Sequence, residues 1–315
     1  MVVKKEIEIG GQKITLETGR LAKQADGAVL VCCGETMVLA TVVANKEAKA
    51  GQDFFPLQVE YREKTSAAGK IPGGFFKREG RPTEKEILSS RLIDRPLRPM
   101  FAEDFKCETQ VMVTVYSSDQ ENDGDVLGAV AASAALVISD IPLLDPIAEV
   151  RVGRTDGKFI VNPKYSQLVG SDMDILVAGT SSSIVMVEGE AREISETDML
   201  EALRFAHANI KMLCEVQMEL RNECGRPKRD VASDPLKEPL TKTLTTVVRH
   251  KVHEVTNKVL TKEERSAAND EIKDMGFKTL TELLKNEKEP VRQEIAKLEG
   301  PNAVLVKGGA EEFVK

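Results

Sequence analysis

The chain has 315 residues, 41% hydrophobic and 30% charged, a composition that excludes a disordered chain and leaves room for two domains. A net charge of −7 excludes a protein that coats nucleic acid over its whole surface, though not a local basic groove. No apolar run approaches the ~18 residues of a membrane span, the N-terminus lacks a signal-peptide core, and five cysteines without a CxxC pair argue against a disulfide frame or a zinc site, so no membrane contact and a cytoplasmic setting are expected.

In chain order, alternating apolar and polar residues predict strands over Glu6–Ile9, Lys13–Glu17, Ala28–Cys33, Met37–Val43 and Leu57–Tyr61, punctuated by Gly10-Gly11, Gly19 and Gly34. A helix is expected from about Pro82, stopped by Pro96 and Pro99, with Ile87, Leu88 and Leu92 on one side and Arg91, Arg95 and Arg98 along another. Then come a strand at Glu108–Tyr116 and a helix of small apolar residues at Gly124–Ile138. Strands at Ala148–Val152, Phe159–Val161, Asp174–Ala178 and Ile184–Glu188 follow. Ser195 and Asp198 cap a long helix whose apolar positions include Ala206, Ile210 and Leu213. These features predict an α+β core over 1–223, in halves 1–145 and 146–223, then a linker at 224–239 rich in Gly and Pro. Beyond it an all-helical domain is expected over 240–299: a first helix with Leu244, Val248 and Val259, a second capped by Thr261 and Glu264, and a third from Pro290 to Leu298. Residues 300–315 read as a tail.

The chemistry concentrates in Lys64–Arg81, KTSAAGKIPGGFFKREGR. Its basic side chains Lys64, Lys70, Lys77, Arg78 and Arg81 stand against the lone acid Glu79, beside the adjacent rings Phe75 and Phe76. From Arg62 to Arg98 there are ten cations and five acids, so the remainder of the chain carries −12. Cations beside stackable rings on a glycine-rich backbone suit single-stranded nucleic acid, charges tracking phosphates and rings facing bases. A solvated charge run or a protein contact burying the rings are the competing readings. The loop is neither GxxxxGK[ST] nor GxGxxG, so a nucleotide pocket of those kinds is unsupported. Arg91, Arg95 and Arg98 are weaker phosphate candidates, because Asp94 and Glu84–Glu86 are available to pair with them. Asp172 and Asp174 in the SDMD stretch, at the mouth of a strand, have the carboxylates to hold Mg²⁺, with an acidic strand entry as the commoner explanation; no metal site is assigned.

Residues 51–101, GQDFFPLQVEYREKTSAAGKIPGGFFKREGRPTEKEILSSRLIDRPLRPMF, resemble the N-terminal core of bacterial-type polynucleotide phosphorylases. LETGRLAKQADGAVLV, ASAALVISDIP, DMDILVAGT and the helix from Ser195 fit in the same order, and the likeness runs over roughly residues 1–300. The resemblance implies an α+β RNase PH-like core, of the ribosomal protein S5 domain 2-like class, followed by a small all-α domain. It also implies homotrimers of two tandem cores that degrade RNA 3′-to-5′ with inorganic phosphate, releasing nucleoside diphosphates, with Mg²⁺ as cofactor. The family allows a cytoplasmic or an organellar-matrix setting. The loop with Phe75, Phe76, Lys77 and Arg78 then corresponds to the family's RNA grip at the ring channel, extended by Arg81. Lys77 stands where the family usually has arginine, keeping the charge without the planar fork.

Other positions depart from the pattern. The family's phosphate-binding stretch corresponds to Gly124–Leu127, where Asp125 would repel phosphate. Of its catalytic aspartate, aspartate and lysine, Asp174 matches the second, but Leu168 and Leu176 occupy the other two positions. The resemblance therefore implies the non-phosphorolytic first copy, inactive alone. Mg²⁺ would be bound in a second core expected beyond the end of this sequence, along with any KH or S1 modules. A non-catalytic ring or scaffold subunit, using Phe75-Phe76 for protein contacts, is the alternative.

Overall fold

The structure, a computed structural model, describes residues 2–49, 52, 54–231 and 237–285. The expected third helix of the helical domain and the tail lie outside the described residues.

The first unit runs from Met1 to Val231. Its larger sheet contains β1 (Val3–Ile9), β2 (Gln12–Thr18), β3 (Gly27–Cys33), β4 (Thr36–Ala44), β5 (Leu57–Glu63) and β6 (Thr109–Ser117), in the order β1-β2-β3-β4-β6-β5. All neighbours are antiparallel except β5 and β6, which run parallel with Leu57 opposite Thr109. That pairing needs a crossover, and the crossover contains the basic loop and α1 (Glu84–Leu97). A second sheet, ordered β10-β9-β7-β8, comprises β7 (Ala148–Thr155), β8 (Lys158–Val161), β9 (Met173–Gly179) and β10 (Ile184–Ala191).

Between them in sequence lies α2 (Gly124–Ile138), buried from Asp125 to Ile138. It packs against β3, β4 and β6 of the larger sheet and against β7 of the smaller. Small residues on both sides permit this: a Cβ at Gly128 of α2 would press on Val113, Ile93 and Tyr61, and one at Gly27 of β3 would overlap the Ala135 carbonyl oxygen. A short α3 (Tyr165–Leu168) links β8 to β9, and α4 (Glu196–Cys224) begins at Ser195, whose hydroxyl accepts from Asp198 N at 3.1 Å. Ala202, Ala206, Ile210, Leu213 and Leu220 form the buried stripe of α4, against β1 and β7. Residues 226–229 bind back onto the core: Arg226 N donates to Ile138 O, Arg229 N to Asp140 O, and the Arg229 guanidinium to the Asp140 carboxylate at 2.9 Å.

The second unit, described on its own, pairs α5 (Lys237–Thr256) with α6 (Lys262–Lys285). The helices approach closely at Gly276, where a Cβ would lie 3.1 Å from a Val248 methyl. Val259, expected inside the first of these helices, is fully exposed in the connection, because α5 already ends at Thr256.

Candidate nucleic-acid interface

The basic loop leaves the end of β5, makes a 3-10 turn at Thr65–Ala68 closed by Gly69 in the left-handed region (φ 68°), and re-enters the fold at α1. Thr83 and Glu86 form a reciprocal capping box at that entry. The buried Glu86 carboxylate accepts from Thr83 N at 2.7 Å and from Glu63 N at 2.9 Å, so one side chain joins both roots of the loop. Burial pushes this carboxyl up, but the amide donors outweigh it and hold Glu86 below the usual range. Above the roots, Thr65 N and Thr65 Oγ1 donate to the Glu79 carboxylate, and the Arg62 guanidinium donates to Gly80 O.

Beyond that neck the tip stands in solvent. Phe75 is 93% exposed and Phe76 80%, edge to face with centroids 5.4 Å apart. Lys77 follows with φ 49°, a left-handed conformation that a non-glycine side chain rarely adopts. Among the described residues, Lys64, Lys70, Lys77, Arg78 and Arg81 have no ion-pair partner. Arg62, Lys64, Arg78 and Arg81 share a hollow of about 460 Å³ with Glu63, Glu79 and Glu86. A run of unpaired cations beside two exposed rings has no internal use in the fold.

The α1 arginines differ from one another. Arg98 is taken up by the Asp94 carboxylate at 2.7 Å and by the carbonyls of Phe55 and Leu57. Arg95 pairs with Glu188 of β10. Arg91 is exposed and unpaired among the described residues. The expected separation of apolar and arginine sides on α1 does not hold. Leu88, Leu92, Arg91 and Arg95 line one cleft together, while Glu86, Ser89, Ile93, Pro96 and Leu97 are the buried positions. Proline also fails to stop the helix at once: Pro96 lies inside α1, near its end, where it is buried.

That cleft ends on a centre the sequence reading missed. Arg151, on β7, lies among three carboxylates: Asp123 at 2.7 Å, Asp174 at 2.6 Å and Asp125 at 3.5 Å. Asp123 is the N-cap of α2 and also accepts from the Tyr165 hydroxyl at 2.9 Å. Burial pushes Asp123 up, but hydrogen bonding with Asp125 and the Arg151 charge bring it below its usual range. Burial and the Asp123 charge drive Asp125 well above its own. Two residues before Arg151 on the same strand face, Glu149 is fully buried, and neither carboxyl oxygen has a partner among the described residues. Burial, then the charges of Asp125 and Asp123, raise Glu149 well above the carboxylate range. The visible signal was the pair Glu149 and Arg151 at i, i+2 in the otherwise apolar start of β7.

Asp174, considered as a cation holder, thus already has a cation from its own chain. Leu176 lines the cleft beside it, and Leu168 lies on α3 in a neighbouring hollow. Among the described residues, no group of three acidic, histidine or cysteine side chains is placed to hold a metal ion. The residues around Asp174 do not fit Mg²⁺, because a guanidinium stands between their carboxylates.

Two sheets packed on a shared helix, with a basic crossover between the parallel strands of the larger one, define a class that comparison makes specific. Residues 10–142 match the model of the 3′ exoribonuclease family, domain 1, and residues 145–209 match domain 2. The chain belongs to the 3′ exoribonuclease family and has its RNase PH-like α+β fold. It is 55% identical over 270 residues to a polyribonucleotide nucleotidyltransferase of Chlorobium phaeobacteroides, covering 84% of this chain and 37% of that protein. The corresponding protein of Chlorobaculum tepidum is 60% identical over 231 residues, covering 73% of this chain and 32% of its own length. The chain therefore spans about a third of these relatives. Rice (Oryza sativa) Rrp46 shares the fold, with TM-score 0.55 at 16% identity over 66% of this chain and 94% of its own.

Proposed function

We propose that this chain is the RNA-gripping first portion of a polynucleotide phosphorylase, contributing binding but no phosphorolysis. The observation that carries the reading is the tip of the basic loop, where Phe75 and Phe76 stand exposed beside the unpaired Lys77, Arg78 and Arg81. Backbone phosphates would neutralise the cations, and bases would stack on the rings without regard to sequence. Arg91, at the head of the cleft, extends the cationic path along α1; Arg95 and Arg98 contribute less because carboxylates already hold them.

The acidic centre supports the second half of the reading. Phosphorolysis needs phosphate brought against a scissile phosphodiester with the developing charge neutralised. Here Asp125 opens α2 where an anion would have to approach, and Arg151 is engaged by three carboxylates. In the full-length enzyme, a second core would supply the reaction and its Mg²⁺, and a homotrimer would assemble the channel. Inorganic phosphate would be the co-substrate and nucleoside diphosphates the products. None of the described helices is long and apolar enough to cross a membrane; the cytoplasm is the proposed setting.

The test is binding of single-stranded RNA by Lys77→Ala/Arg78→Ala. Loss of two phosphate contacts should weaken binding and reduce the salt slope by roughly 1.4, about 0.7 per contact. Unaltered affinity and slope would instead assign Phe75 and Phe76 to a protein contact, as in a scaffold subunit.

A further inference from the structure

Glu79 is the only acid in a loop otherwise cationic from Lys64 to Arg81. For a surface that attracts phosphate, a carboxylate four residues from Phe75 is on electrostatic grounds a defect. Its geometry gives it another use. Oε1 accepts from Thr65 N at 2.9 Å and Oε2 from Thr65 Oγ1 at 2.8 Å, so the carboxylate grips a single residue with both oxygens. The Thr65 donors hold Glu79 below the usual carboxylate range. Thr65 is itself fixed, opening the 3-10 turn whose Ala67 carbonyl accepts from Ser118 N at 3.1 Å at the end of β6. Lys70 N returns to Thr65 O at 3.1 Å.

We propose that Glu79 is a positioning residue, a latch that closes the neck of the loop on Thr65 and presents the Phe75–Arg78 tip in its binding conformation. The tip is a turn over Gly74–Lys77 with Lys77 (φ 49°) and Gly74 (φ 76°) in the left-handed region, and no side-chain hydrogen bond ties it to the rest of the fold among the described residues. Without the Thr65–Glu79 closure, the described ties that remain across the neck lie at its base: Arg62 to Gly80 O, the Glu86 carboxylate to the Glu63 and Thr83 amides and to Arg62 at 3.9 Å, and Lys85 to Glu63 at 2.8 Å. The segment between them would then sample many conformations, and binding would be reduced by the fraction that is competent. The latch rests on the reading of this loop as an RNA grip.

Charge and positioning predict opposite signs, which makes the test decisive. Single-stranded poly(A) binding is measured over a range of salt for the full chain and for Glu79→Ala, Thr65→Val and Glu79→Gln. Glu79→Ala removes a negative charge from a phosphate-binding surface, so simple electrostatics predicts tighter binding. The latch predicts binding weaker by about threefold to tenfold, with an unchanged salt slope because the bound contacts remain the same. Thr65→Val, which changes no charge, should weaken binding in the same direction. Glu79→Gln keeps a carbonyl for Thr65 N while losing the charge, and should bind as well as the parent or better. Thermal unfolding midpoints should be the same in all four proteins, since Glu79 is exposed. Glu79→Ala binding as tightly as the parent or more tightly, or losing affinity only with a lowered melting point, overturns the latch. A parent chain that binds no RNA overturns the RNA grip itself, an outcome distinct from a parent that binds and a Glu79→Ala that binds equally.

Discussion

Arg151 and Asp174 are joined side chain to side chain at 2.6 Å, and the same guanidinium reaches Asp123 at 2.7 Å on the N-cap of α2. One cation thus ties two strands of the smaller sheet to the helix that fills the core. Its desolvation is matched by carboxylates on both sides, so removing it leaves buried charge without a partner.

Arg151→Met should therefore lower the unfolding free energy by about 3–5 kcal/mol, the range for breaking one side of a buried ion-pair network. Arg151→Lys, which keeps the charge but not the fork, should fall between that variant and the parent. Urea unfolding at neutral pH reads both, and a Met variant as stable as the parent would show the network to be energetically idle.

Glu149 should behave in the opposite way. Its buried carboxyl has no partner among the described residues, so Glu149→Met, of similar volume and apolar, should raise stability by about 1–3 kcal/mol at pH 8. The folded state raises this group's pKa, so its stabilising contribution is complete below the unfolded value of about 4.3 and declines as pH rises toward the folded value. The advantage of the Met variant should accordingly widen from pH 4 to pH 8, as chemical unfolding at several pH values would show.

The two apolar sides of α1 make a further contrast. Ile93 is fully buried, and Ile93→Ala should cost about 2–5 kcal/mol. Ile87 is half exposed, and Ile87→Ser should change stability by only about 0.5 kcal/mol. Equal losses at the two positions would mean that the outward face of α1 is covered within this chain.

Much of this fold is written in local pattern. The alternation in Val29, Val31 and Cys33, and again in Val38, Ala40 and Val42, identifies β3 and β4 because one face of each packs into the core. The run of small residues from Gly124 to Ile138 marks a helix needing close approach, and α2 is buried along nearly its whole length. Periodicity misled at α1, where Glu86 and Ser89 turn inward. Glu86 is satisfied there by the amides of Glu63 and Thr83, a tie between segments 23 residues apart that the pattern of α1 does not reveal. The loop residues were legible because composition alone sets them apart. Arg151 was not, because its partners Asp123 and Asp174 come from separate segments that only the tertiary fold brings together.

The central claim, binding without phosphorolysis, is tested most directly by incubating the purified 315-residue chain with poly(A), inorganic phosphate and Mg²⁺ while following both RNA binding and product release. The expected result is bound RNA with no nucleoside diphosphate formed. Release of nucleoside diphosphates by the chain, abolished in Asp174→Asn, would contradict it and place a working centre where Arg151 now sits.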